Sequence, residues 1–457
     1  MKVLIIGLDG ADPDFIEKNK SRLRNISGII DKGISGKLRS VIPPLTGPAW
    51  TSFMTGVNPG KHGVHHFIST DINSGEEKIL NSEMIKDSKK LWDILGENQK
   101  KVTVINVPVT YPPYPVNGYM VTGMLTPDES CEFTYPKTLK SELKDYRIFV
   151  DWMDYSNLEK FLSDLYDVTD KRVSNALMLM NRPWDFFMLV FSGTDVIQHF
   201  LFKEEDHENK GIYDEAILKY FMFIDEKIGE LKKKAGADVV LLMSDHGFGK
   251  IPKKAVNLNV WLEKKGLLVS KKKTLDMKGV FFEIAMKFRK LRSIAPKSVK
   301  RVAKPPVMDI DWPKTKAHFS KAWINVGYIK LSQKDEELRN RIISELETIE
   351  DSGKRVIDSI YKKGDIYSGR HLDEIPDIVF LFSDDYTGSL KPVFIEEIPK
   401  DRRPAGHRIN GFFAISGEKI KRAKTDASIM DIAPTVLDLF GIEKPGYMDG
   451  KALDVRG

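Results

Sequence analysis

Three short segments carry residues able to do metal or phosphate chemistry, and each follows an apolar run of strand type. Gly7-Leu8-Asp9-Gly10 follows Val3–Ile6. Ser192-Gly193-Thr194-Asp195-Val196-Ile197-Gln198-His199 follows Phe186–Phe191, and Ser244-Asp245-His246-Gly247 follows Val239–Met243. Ligands of open α/β sheets bind beyond the carboxyl ends of the strands. Three carboxylates and two imidazoles would therefore meet at one edge. A single aspartate after a strand is commonly a turn or helix cap. Three together, two with histidine, make a donor set for a divalent ion such as Zn²⁺ or Mn²⁺. Asp195 and His199 share a face if their segment is helical, being four residues apart. A fourth segment runs from Pro43-Pro44-Leu45-Thr46 to Thr55-Gly56, with Pro48 and Gly56 bounding a short helix. Thr46 at its start reads two ways: as an N-cap, or as a nucleophile whose hydroxyl a metal acidifies and whose helix amides face a phosphate. Spacing leaves both open.

The elements that would hold these residues follow from periodicity. Val102–Ile105, Ile378–Phe382 and Phe412–Ile415 are further buried-strand patterns. Ile217, Phe221, Ile224, Ile228 and Leu231 mark one face of an amphipathic helix. Strand–helix–strand order predicts an α/β sandwich, a mostly parallel central sheet with helices on both faces. The expected organisation is one catalytic body, 1–264 and 310–457, interrupted at 265–309 by a basic, helical insertion. Between Lys271 and Lys304 stand twelve Lys and Arg against two acids, in a chain whose net charge is only +6. The rest is therefore acidic, and whole-chain charge gives no reason to expect sequence-specific nucleic-acid binding. Within the insertion, residues 280–292 mix Phe281, Ile284, Phe288 and Leu291 with Lys287, Arg289, Lys290 and Arg292. Three readings stand: a packed helix with a solvated face, a cap whose Lys287 and Arg289 attract phosphoanions, or a peripheral membrane helix.

Composition excludes several classes. At 41% hydrophobic over 457 residues the chain buries a sizeable core and is not disordered. Its one cysteine, Cys131, excludes an intrachain disulfide and an all-cysteine metal site. No apolar run approaches the ~20 residues of a membrane span, and Val3–Ile6 is too short for a signal sequence. A cytoplasmic location is the expectation.

Taken together the segments resemble the alkaline phosphatase superfamily, most closely its type I phosphodiesterase/nucleotide pyrophosphatase branch. Asn58-Pro59-Gly60-Lys61-His62-Gly63, Gly406-His407-Arg408, Asp431-Ile432-Ala433-Pro434-Thr435 and Met448-Asp449-Gly450 extend the likeness over almost the whole chain in order. The resemblance implies two divalent ions per chain, zinc ahead of manganese. Asp9, Thr46, Asp245 and His246 would hold one, and Asp195, His199 and His407 the other. It implies Thr46 as nucleophile, a phosphothreonine intermediate, and a small phosphodiester or nucleotide pyrophosphate as substrate. Two departures bear on substrate. The diesterase pattern reads Thr, aromatic, Pro, Asn, His, whereas this chain has Gly47, Ala49 and Trp50 around Pro48. The asparagine expected after His62-Gly63 is also absent; His65 and His66 stand there instead, as candidate substrate contacts. A phosphomonoesterase or phosphoglycerate mutase-like phosphotransferase is the rival enzyme reading. An anionic-polymer or membrane-surface binder with a relic metal site is the rival outside enzymes.

Overall fold

The computed structural model describes residues 1–70, 77–85, 87–150, 157–202, 210–249, 252–271, 308–323, 325–399 and 405–457. The chain divides into two compact units: Met1–Ile251 with Tyr367–Ile375 and Pro404–Gly457, and Pro252–Ile366 with Pro376–Arg403.

The first unit is built on a mixed sheet. Its strands are β1 (Val3–Leu8), β2 (Ile34–Arg39), β3 (Val102–Val107), β4 (Gly118–Thr122), β5 (Thr134–Tyr135), β6 (Phe186–Phe191), β7 (Val239–Met243), β10 (Asn410–Gly417), β11 (Ala423–Lys424) and β12 (Ala427–Ser428). A separate two-stranded ribbon pairs β8 (Gly247–Gly249) with β9 (Gly406–Arg408). The order is β11-β2-β10-β7-β1-β6-β3-β4-β5, with β12 beside β2. Strands β7, β1, β6, β3 and β4 run parallel, and β10 reverses direction against β7. The central strands are apolar at nearly every position because both faces are covered. Leu4, Ile6 and Leu8 of β1 enter one core, with Phe187, Leu189 and Phe191 of β6. Val3 and Ile5 enter the other, with Trp50, Phe53 and Leu241. Helices α1 (Pro13–Lys18), α2 (Arg24–Lys32), α6 (Leu158–Leu179), α7 (Gly193–Leu201) and α8 (Lys210–Ala235) cover the first face; α3 (Thr46–Thr55), α5 (Leu91–Glu97) and α9 (Ile432–Leu439) cover the second. A short α4 (Pro59–His62) follows α3. The amphipathic face read from Ile217 to Leu231 is buried on α8.

The second unit has its own core around Phe319, Ile329, Ile342, Phe380 and Phe382. Its four-stranded antiparallel sheet orders Ala317–Trp323, Val326–Leu331, Ile378–Phe382 and Ile357–Lys362. Ile378–Phe382, a strand by its apolar run, belongs to this sheet and not to the central one. Most of the basic insertion, with Lys287 and Arg289, lies outside the described residues. Among the described residues no helix is long and apolar enough to cross a membrane.

Helix α2 shows how tertiary contacts complete local structure. Leu23 at its N-cap offers no side-chain acceptor. Asp225 of α8, buried, takes that role: Oδ2 accepts from Asn25 N at 3.0 Å and Oδ1 from Ile26 N at 2.8 Å. Removing the acceptor leaves buried helix amides unpaired, at a cost of about 1–3 kcal/mol. Asp225→Ala is expected to lose stability by that amount in chemical denaturation followed by circular dichroism; an unchanged midpoint would show that water replaces the carboxylate.

Candidate active site

The parallel register brings the site together. Val3 lies opposite both Phe186 and Val239, so β1, β6 and β7 end nearly level. Asp9 leaves β1, Asp245 and His246 leave β7, and α7 begins directly after β6. His407 on β9 pairs with Phe248 on β8, which brings a candidate ligand from late in the chain beside His246. Gly10 turns the chain at φ +67°, and a Cβ there would lie 2.8 Å from Asp195 Oδ1. Glycine thus serves both the left-handed turn and the close approach of Asp195. Two residues of α7 fasten it to this turn: Thr194 Oγ1 donates to the Asp9 carbonyl at 2.6 Å, and Gln198 Nε2 donates to the Gly10 carbonyl at 2.9 Å.

Thr46 is not a cap. The N-cap of α3 is Leu45, and Thr46 is the first helical residue. Its hydroxyl lies 3.4 Å from His246 Nε2. Around the same nitrogen stand Asp9 Oδ1 at 3.6 Å and Asp245 Oδ2 at 3.3 Å, neither with a hydrogen-bond partner. The other oxygen of each carboxylate is occupied: Asp9 Oδ2 accepts from Trp50 Nε1, and Asp245 Oδ1 from Gly10 N. His246 Nδ1 faces the Gly247 carbonyl at 3.1 Å, so Nδ1 carries the proton and Nε2 presents its lone pair.

A second cluster adjoins the first. His199 Nε2 lies 3.4 Å from Asp195 Oδ2, as the i, i+4 spacing predicts, and 2.9 Å from His407 Nε2. Asp195 Oδ1 stands 3.5 Å from His407 Nε2. His407 Nδ1 donates to the Pro44 carbonyl at 2.9 Å, tying this imidazole to the segment before Thr46. The rings of His246 and His407 stack at 3.7 Å. The ligand atoms of Asp9, Asp245 and His246 fall within 4.8 Å of one another, as do those of Asp195, His246 and His407.

The electrostatics fit a cation. Burial, reinforced by the charge of Asp195, pushes the Asp245 carboxyl up to about 7. Burial and then the charges of Asp245 and Asp195 raise Asp9 well above the carboxylate range. Burial opposes the charge on Asp195 as well, but His199 and His407 hold it below its usual value. Burial keeps His246 neutral. The buried Asp9 and Asp245 oxygens without hydrogen-bond partners, beside the lone pair of His246 Nε2, are costly without compensating positive charge. Carboxylate and imidazole donors without thiolate suit a divalent ion of the zinc or manganese type.

The seven ligand and nucleophile candidates are therefore brought together within the first unit. His65 and His66 fall outside both clusters: His65 stands edge-on to Tyr367 and His66 edge-on to Phe67. Burial pushes the His65 pKa down to about 4. His62 holds α3 through Ser52 Oγ at 2.8 Å. Sequence reasoning missed Thr194 and Gln198, whose partners lie about two hundred residues away. It also missed Trp50, whose only signal was its departure from the diesterase pattern.

Solved structures share this fold. Human ectonucleotide pyrophosphatase/phosphodiesterase 5 superposes with a TM-score of 0.55 at 15% identity, covering 99% of this chain and 97% of that one. The murine protein gives 0.53 at 14% identity, covering 100% and 97%. An inactive threonine-to-alanine form of the murine protein, in complex with AMP, gives 0.52 at 14% identity with the same coverage. At these identities the likeness is one of fold. A search of curated proteins found no match. The sequence pattern of the type I phosphodiesterase / nucleotide pyrophosphatase family matches residues 3–392, and the chain belongs to that family.

Proposed function

We propose that the chain hydrolyses a phosphodiester or nucleotide pyrophosphate through a two-ion site, with Thr46 as the nucleophile. The observation that carries this reading is the Thr46 hydroxyl, which is not spent on capping and lies 3.4 Å from His246 Nε2 beside the unpaired oxygens of Asp9 and Asp245. Asp9, Thr46, Asp245 and His246 would hold one divalent ion and Asp195, His199 and His407 the other, zinc ahead of manganese; such ions supply Lewis acidity that acidifies a hydroxyl and neutralises phosphoryl charge.

The protein's own part is positioning. Thr46 Oγ1 attacks phosphorus in line, the new O–P bond forming as the bond to the leaving oxygen breaks, which leaves a phosphothreonine. Water attacking from the opposite side then frees Thr46. The Thr46 and Gly47 amides at the start of α3 precede the first intrahelical bond, Ala49 N to Leu45 O at 2.9 Å, and would face the attacked phosphate as a site for its oxygens. The AMP bound by the murine relative supports a nucleotide as the substrate fragment. Faster turnover of bis(4-nitrophenyl) phosphate than of 4-nitrophenyl phosphate is the expected result. The reverse order would favour the monoesterase reading, as would be consistent with Ala49 and the missing asparagine.

Thr46→Ala is expected to lower kcat by roughly 10³-fold or more, as for a lost covalent nucleophile. Compared after chelation, its melting should match that of wild type, because Leu45 and not Thr46 is the cap. Thr46→Ser retains a hydroxyl and should keep measurable activity. Near-normal turnover of the alanine variant would remove Thr46 from the mechanism.

Elemental analysis should find two divalent ions per chain, and chelation should abolish activity until Zn²⁺ or Mn²⁺ is restored. Each ion at about 100-fold its Kd adds about 2.7 kcal/mol of stability, so chelation should also lower the melting temperature. Affinity should fall in acid, since imidazole and carboxylate ligands must be deprotonated to bind. A chain without metal, whose melting and activity ignore added ions, would refute the two-ion reading.

A further inference from the structure

Trp50 is fully buried and held from three sides. A Cβ on Gly7 would fall 2.5 Å from its Cη2, so the ring occupies the space that glycine leaves open on β1. Phe53 meets it edge-on at 5.7 Å. Its Nε1 donates to Asp9 Oδ2 at 3.3 Å. Asp9 Oδ1 is left without a hydrogen bond, 3.6 Å from His246 Nε2. The neighbouring carboxylate follows the same plan: Gly10 N holds Asp245 Oδ1, and Oδ2 stays unpaired 3.3 Å from the same imidazole.

We infer that Trp50 is a positioning residue for Asp9, its indole N–H pinning one carboxylate oxygen so that the other is presented beside His246 Nε2 and Asp245 Oδ2. The inference rests on the two-ion reading of the site. Indole suits the task because it only donates and does not titrate across the working pH range. It cannot compete for the ion, and it cannot hand over its own proton to neutralise Asp9. Without it Asp9 is free to rotate about its side-chain bonds, and the ligand geometry must be re-formed at each binding event. Losing an outer partner of this kind typically costs about 10–100-fold in metal affinity.

The test uses the full chain stripped by chelator and titrated with Zn²⁺ alone in a calorimeter. Four proteins are compared: wild type, Trp50→Phe, Trp50→His and Phe53→Leu. Trp50→Phe should bind one of the two ions about 10–100-fold more weakly and leave the other unchanged. Trp50→His restores an N–H donor and should recover part of the loss. Phe53→Leu disturbs the same packing without touching Asp9, and should lower the melting temperature with wild-type Zn²⁺ affinity. Most of the change in tryptophan fluorescence on adding Zn²⁺ should vanish in Trp50→Phe, although six other tryptophans remain. Equal Zn²⁺ affinity in wild type and Trp50→Phe overturns the inference. So does a loss in Phe53→Leu as large as that in either Trp50 variant, which also decides the matter if Trp50→Phe fails to fold. Wild type that binds no Zn²⁺ refutes the two-ion reading itself, and is told apart from the first outcome by the wild-type titration alone.

Discussion

Asp9, Asp195 and Asp245 share a buried site at which carboxylates would ordinarily repel one another. Each is at most 6% exposed. In water such charges are screened; in a protein interior they are not, and an unpaired buried charge costs several kcal/mol. The directions of the shifts express this conflict. Burial and mutual repulsion favour protons on Asp9 and Asp245, while Asp195 keeps its charge beside His199 and His407. Positive charge from bound ions would remove the conflict. The energy that holds the residues in place without it comes from the apolar layers on both faces of the sheet, where burying each Leu, Ile, Val or Phe side chain contributes about 1.5–3 kcal/mol.

Topology turns that burial into geometry. Parallel strands with equal register finish together, and whatever follows them must share one edge. The remaining freedom is removed by specific contacts: Thr194 and Gln198 tie α7 to the turn after β1, and His407 is tied to Pro44, two residues before Thr46. Arg408, the next residue, pairs with Asp12 at 3.4 Å, which joins β9 to the start of α1. The candidate ligands thus sit on strand ends, short turns and the first helix after β6, where neighbours fix the backbone.

Much of this was legible in the sequence where one element carries the whole signal. The apolar runs read correctly as strands because strands buried on both faces need continuous apolar residues. Asp195 and His199 were readable as a pair because both lie on one helix. The Thr46 reading needed the structure: a threonine near a helix start looks the same in sequence whether it caps the helix or opens it, and one residue of phase decides. Ile378–Phe382 was legible as a strand but not by its sheet, since a five-residue apolar run carries no record of its partners. The second unit, with its own antiparallel sheet, was for that reason not distinguished from the first. Trp50, Thr194 and Asp225 act through partners 41 to 200 residues away in the chain, and no periodicity marks such a contact.

Helix α3, which opens on Thr46, follows the same principle. All ten residues of α3 are buried. Inside it, Thr51 and Thr55 return their hydroxyl protons to the carbonyls of Gly47 and Thr51, so their polarity is consumed locally. Ser52 is held by His62. Beyond the left-handed Gly56, the amides of Asp449 and Gly450 donate to the Gly56 carbonyl, and the Asp449 carboxylate accepts from Asn58 N at 2.9 Å and Asn58 Nδ2 at 2.7 Å. The far end of the chain thus clamps the helix whose first residue is Thr46. An in-line displacement tolerates little misplacement; an error of about 1 Å can cost roughly 10²-fold in rate. A helix fixed at both ends and along its length would meet that tolerance for Thr46 without a moving part, and its hydroxyl-bearing residues hold it there although the segment is otherwise core.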